Sequence, residues 1–200
     1  MLGLPKLTEM KKQLPKNLIF TKFSLNTASK ERFDADIKRI AIVNEISTTS
    51  TAIAKGDTVN SFFIILVSLK QEKFDERNIG LISRLINQNL LFVLEYEGKA
   101  KLAVYHSKLI SGEWKPSDEL SVQLKGLNLD AVWENIIVQV GAIQIEQGNT
   151  LDEQIQTNEQ RKRLLKQIDM LESKARAEKQ PKRKYELVQM GKKLKEELKI

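Results

Sequence analysis

The chain has 200 residues, 41% of them hydrophobic and 30% charged, with one histidine and no cysteine. That is apolar material for one core with an appendage; it excludes disulfide frameworks and cysteine-ligated metal centres, and leaves a Ser/His/Asp triad only His106 to use. The net charge of +7 is lopsided, because residues 1–150 carry 19 Lys/Arg against 17 Asp/Glu whereas residues 151–200 carry 14 against 9.

Residues 1–28 hold Pro5, Pro15 and scattered apolar side chains without a clean period, which predicts an arm packed on the body. A short helix is expected from Ser29 through Ile37, then a strand over Arg39–Ile46. The Ser/Thr-rich turn from Ser47 to Thr51 leads to a weaker strand at Ala52–Ala54. Ser61–Leu69 is apolar on both faces, the mark of a strand at the middle of a sheet. Asp75 caps a helix whose Ile79, Ile82, Leu85 and Ile86 share one face.

The two-residue turn Glu97-Gly98 pairs Tyr96 with Lys99 and Val93 with Leu102 in a hairpin, with His106 on its apolar face. Asn128 opens a helix containing Ala131, Val132, Trp133, Ile136, Ile137 and Val140. Thr150 and Glu153 form a capping box for another helix beginning at Leu151. Its stripe of Leu164, Ile168, Leu171 and Ala175 is answered, beyond Gln180-Pro181, by Leu187, Met190, Leu194 and Leu198. An antiparallel hairpin then sets Leu171 by Leu187, Ile168 by Met190 and Leu164 by Leu194.

The fold class expected is therefore α+β: a mainly antiparallel sheet with packing helices in residues 29–148, followed by a coiled-coil-like helical hairpin in 149–200. The longest apolar run, Phe62–Val67, is strand-sized and far short of a membrane span. The first residues lack a basic region followed by an apolar one, so the cytoplasm is the expected compartment.

The chemistry-bearing residues are few. Nine dispersed glycines form no phosphate-cradling loop, and no cofactor or metal is expected. His106 on an apolar strand face reads as a hydrogen-bonded core or edge histidine rather than a catalytic one. Glu95, Glu97 and Lys99 contain the acid-x-lysine spacing of magnesium nucleases, yet they read first as the ordinary charged residues of an exposed hairpin turn. Glu45, inside an apolar strand, reads as a buried acid paired with a nearby Arg or Lys, and otherwise as a further metal ligand.

The fuller signal is the basic tail. Lys179, Lys182, Arg183 and Lys184 cluster at the hairpin tip, Arg161, Lys162, Arg163, Lys192, Lys193 and Lys195 at its far end, with Lys174 and Arg176 between. Such a set can line phosphates along a helix of about 30 Å or dock a protein partner.

Arg32-Phe33-Asp34-Ala35-Asp36-Ile37 running into Ile42-Val43-Asn44-Glu45, with Ala103-Val104-Tyr105-His106, Asp130-Ala131-Val132-Trp133-Glu134-Asn135 and Gly148-Asn149-Thr150-Leu151, resembles an uncharacterised bacterial domain-of-unknown-function family, DUF4391, over nearly the whole chain. The resemblance implies an accessory protein encoded beside the helicases and DNA methyltransferases of restriction-type defence systems, and it supplies no catalytic residue. Three functions are thus expected to compete: a non-catalytic adaptor contacting a helicase or methyltransferase, and DNA, through the hairpin; a metal-dependent nuclease using Glu45, Glu95, Glu97 and Lys99; and a homo-oligomer assembled through the hairpin.

Overall fold

The structure, a computed structural model, describes residues 2–106, 108–146 and 148–198. The chain divides into two compact units, Met1–Ile143 and Gln144–Ile200. No helix among the described residues is long and apolar enough to cross a membrane.

The first unit is built on a seven-stranded sheet in the order β1 (Glu9–Gln13), β2 (Ile37–Ser47), β3 (Ser61–Leu69), β4 (Asn89–Tyr96), β5 (Lys99–Tyr105) and β6 (Leu109–Ser111), with β7 (Lys115–Pro116) also pairing β5. The apolar run Ser61–Leu69 occupies the centre. Every pairing is antiparallel except β3 with β4, where α3 (Glu76–Leu85) carries the chain back to start a parallel neighbour. The β4–β5 hairpin has the predicted register, Tyr96 opposite Lys99 and Val93 opposite Leu102. Glu97 and Gly98 adopt φ of 43° and 79°, the double left-handed geometry of a type I′ turn.

Helices cover both faces of the sheet. On one face α1 (Lys16–Lys22), α2 (Thr27–Asp36) and α3 bury Ile19, Phe33, Ile79 and Ile82 against Ile65, Val67, Phe92 and Leu94. On the other, α4 (Leu129–Gly141) sets Trp133 5.2 Å from the ring of Phe62. A register shift in β2 between Ile42 and Asn44 changes which face the strand presents, as a bulge does. Ile40 and Ile42 therefore join the core beside α1–α3, while Asn44 and Ile46 pair with Ile64 and Phe62.

Side chains tie the loops down. Asp36, buried at the end of α2, accepts from Gln71 Nε2 (2.6 Å), the Asp75 amide (2.8 Å) and Asn78 Nδ2 (2.7 Å). Asp130, in the first turn of α4, accepts from the amides of Asp57 and Val59 and from the amide and hydroxyl of Thr58. A Cβ at Gly56 would strike that carboxylate, so the 55–59 loop needs glycine there. Lys22 donates to the last-turn carbonyls of Arg84 and Leu85 in α3, a cation at a helix C-terminus.

The structure corrects several local expectations. α2 is capped by Asn26, whose Oδ1 accepts from Ser29 N at 2.9 Å, so it begins before Ser29. Ala52–Ala54 forms no strand and makes only the bridge Ala54 to Asn128, because three residues amid serine, threonine and glycine lack a ladder partner. Within the stretch read as an N-terminal arm, β1 pairs β2 as an edge strand and α1 lies against α3.

The second unit is a helical pair, α5 (Leu151–Ala177) and α6 (Pro181–Glu197), packed on one another. The Thr150/Glu153 capping box is present at the start of α5, and Pro181 stands at the first turn of α6.

Candidate functional site

On α5, Leu164, Ile168, Leu171 and Ala175 turn inward, with Ile168 and Ala175 buried. On α6 the inward stripe runs through Leu187, Gly191, Leu194 and Leu198. Met190, expected opposite Ile168, is 54% exposed. Hydropathy counts Met190 and passes over Gly191, but both lie at helical spacing from Leu187. Glu172 joins the helices: Lys195 Nζ lies 2.8 Å from its Oε1 and Arg176 3.9 Å from its Oε2. Its carboxyl is held below the ordinary value of 4.5 by the Lys195 hydrogen bond and charge, assisted by Arg176.

All twelve nominated cations are exposed: Arg161, Lys162, Arg163, Lys174 and Arg176 on α5, Lys179 in the connection, and Lys182, Arg183, Lys184, Lys192, Lys193 and Lys195 on α6. They do not form a single stripe. At 100° per residue Lys162 projects away from the seam, while Arg163 and Lys174 flank one side of it and Arg161 and Arg176 the other. Arg163 and Arg183 are also paired, with Glu159 at 3.7 Å and Glu178 at 4.0 Å.

Four of the cations come together. Arg176, Lys184, Lys192 and Lys195 surround a groove of about 450 Å³ between the helices, with an apolar floor of Ala175, Leu187, Val188 and Gly191. A Cβ built on Gly191 would meet nothing within 4 Å, so the glycine leaves open space. Val188 is 40% exposed beside it. This floor was missed in the sequence, where Gly191 looks like a weak point in a helix and Val188 like an ordinary surface valine.

The other nominated residues lie elsewhere and apart. Glu45 is half-buried rather than buried, opposite Phe63 on β3. Glu95 sits across from Ser68, whose hydroxyl donates to it at 3.2 Å. Phe63 and Ser68 are five residues apart on one strand, which offsets the two carboxylates by about 17 Å along the sheet, with two strand spacings between them across it. Glu97 and Lys99 are exposed at the β4–β5 turn. His106 lies one residue beyond β5, half-buried, with its amide donating to Lys108 O at 2.9 Å. It shares an end of the sheet with Glu45, but three strand spacings, about 14 Å, intervene. Among the described residues no three His, Asp or Glu side chains gather as metal ligands.

A family model described as a domain of unknown function (DUF4391) matches residues 2–198. No curated protein and no solved structure matches the chain.

Proposed function

The chain belongs to the DUF4391 family, and from that premise and the hairpin's geometry we propose that it is a non-catalytic accessory subunit of a bacterial DNA-processing complex of restriction or defence type. The α+β unit is the scaffold, and the hairpin is the arm that contacts the partner and DNA. The observation that carries this reading is the exposure of all twelve cations on one helical pair, four of them ringing an apolar groove. Exposed lysines and arginines release counterions from a phosphate backbone, and an apolar floor within a charged rim suits protein docking. The resemblance to proteins encoded beside helicases and methyltransferases supports the setting.

Fluorescence anisotropy with labelled duplex DNA tests the DNA contact, using the full chain and a variant carrying Arg176→Gln, Lys184→Gln, Lys192→Gln and Lys195→Gln. Each phosphate contact contributes about 0.9 to the slope of log affinity against log salt, so the variant should bind more weakly with a slope shallower by as much as ~3.6. Equal slopes would remove DNA from the proposal and leave the hairpin as a protein-docking arm.

A further inference from the structure

Beyond the hairpin, the first unit holds a second concentration of positive charge. A cleft of about 300 Å³ between α2 and α3 is lined by Arg32 from α2 and by Arg77 and Arg84 from α3, together with Ser29, Asp75 and Tyr105. We propose that this cleft binds a phosphate monoester.

The charge balance points that way. Asp75 is the one carboxylate in the lining, and three guanidinium groups leave two positive charges in excess. A phosphate monoester carries about −1.5 to −2 at neutral pH, which matches that excess; a carboxylate ligand would meet only half of it. The guanidinium fork also fits phosphate oxygens in pairs.

The arginines are held in place by local contacts. Arg77 clamps Asp75 through Nε at 2.9 Å and Nη2 at 2.6 Å, and Asp75 in turn accepts from the Arg77 amide as the N-cap of α3. Arg32 donates through Nη2 to the Ser29 hydroxyl at 3.2 Å. Arg84 donates through Nε to Gly80 O at 3.1 Å and lies 5.5 Å from the centre of the Phe23 ring. That tether uses Nε and leaves the Nη nitrogens of Arg84 to serve a ligand. Tyr105, 38% exposed, lies close over α3: a Cβ on Gly80 would stand 3.0 Å from its Cε2 and 3.3 Å from its hydroxyl oxygen. Glycine at position 80 thus lets a phenol hydroxyl form one wall of the cleft.

Two ligands share this chemistry, a free mononucleotide and the 5′-phosphate of a nucleic-acid strand. Isothermal titration calorimetry on the full chain with inorganic phosphate, adenosine 5′-monophosphate, and an oligonucleotide bearing either a 5′-phosphate or a 5′-hydroxyl separates them. The site should saturate at one phosphate per chain. Arg84→Gln and Arg32→Gln should each weaken binding about tenfold. Asp75→Asn keeps a good N-cap while removing the internal counter-charge, so it should tighten binding severalfold, a gain that misfolding could not imitate. Binding of adenosine monophosphate with no preference between the two oligonucleotides assigns a free nucleotide; a preference for the 5′-phosphorylated strand that Arg84→Gln abolishes assigns a strand end. Absence of saturable binding in every arm, or affinities that neither the arginine variants nor Asp75→Asn change, would overturn the proposal.

Discussion

Replacing Asp36 probes the joint on which the body's organisation depends. Its side chain ends α2 and receives three hydrogen bonds, two from the segment that leads into α3 and one from Asn78 in its first turn. In Asp36→Ala the Gln71 amide, which is exposed, can turn to water. The Asp75 amide and the buried Asn78 side chain lose their acceptor, at about 1–3 kcal/mol for each unsatisfied buried donor. The net loss expected is about 3 kcal/mol, which for a unit of this size lowers Tm by roughly 10 °C. Asp36→Asn should behave differently. Oδ2 accepts from both Asp75 and Asn78, so one amide oxygen can serve both, while Gln71 can flip to accept from the new NH₂. Its cost should be about 1 kcal/mol. Both tryptophans, Trp114 and Trp133, belong to the first unit, so intrinsic fluorescence during urea unfolding reports on this unit directly. Equal destabilisation by the two variants, or a loss below about 1 kcal/mol in Asp36→Ala, would refute the hydrogen-bond accounting.

The Val59 amide, the Thr58 hydroxyl and the Asp57 and Thr58 amides hold the Asp130 carboxyl below its ordinary 3.8. Because the folded value is depressed, its stabilisation is complete above the unfolded value and disappears as pH falls through the folded one. Asp130→Asn should therefore lower Tm at neutral pH, and the gap from the parent should close below about pH 4, as a series of thermal melts at different pH would show. Gly191→Ala adds a Cβ that meets nothing within 4 Å and removes the entropic cost of a mid-helix glycine. Chemical unfolding followed by helical circular dichroism should show a gain of roughly 0.5–1 kcal/mol, and a destabilised variant would mean that the groove is closed in solution. Thr150→Ala, which removes a capping-box oxygen, should cost the second unit about 1 kcal/mol in the same measurement.

Much of the architecture was legible because it follows from periodicity and turn chemistry. Ser61–Leu69 reads as a central strand from its unbroken apolar run, and Glu97-Gly98 sets the β4–β5 register through its turn type. Thr150 with Glu153 marks the start of α5. What was not legible depended on partners distant in sequence. The bulge in β2 that turns Ile42 and Asn44 to different faces is set by pairing with β3. The anchoring of the 55–59 loop by Asp130 joins residues more than seventy positions apart. Arg32 and Arg84 line one cleft only because α2 and α3 cover the same face of the sheet, and nothing in their local sequence signals a shared cleft. In the hairpin, charge was easy to count, but the groove depends on Gly191, which hydropathy does not register.

The accessory-subunit account is tested most directly by purifying the tagged full chain from cells carrying its native locus and determining whether a helicase or a DNA methyltransferase is recovered with it. The comparison is with a variant bearing Lys184→Glu, Lys192→Glu and Lys195→Glu. The account predicts stoichiometric recovery of a partner with the parent chain and its loss with the charge-reversed hairpin, at unchanged tryptophan fluorescence of the body. Recovery of neither protein with the parent, or equal recovery with both forms, would contradict it.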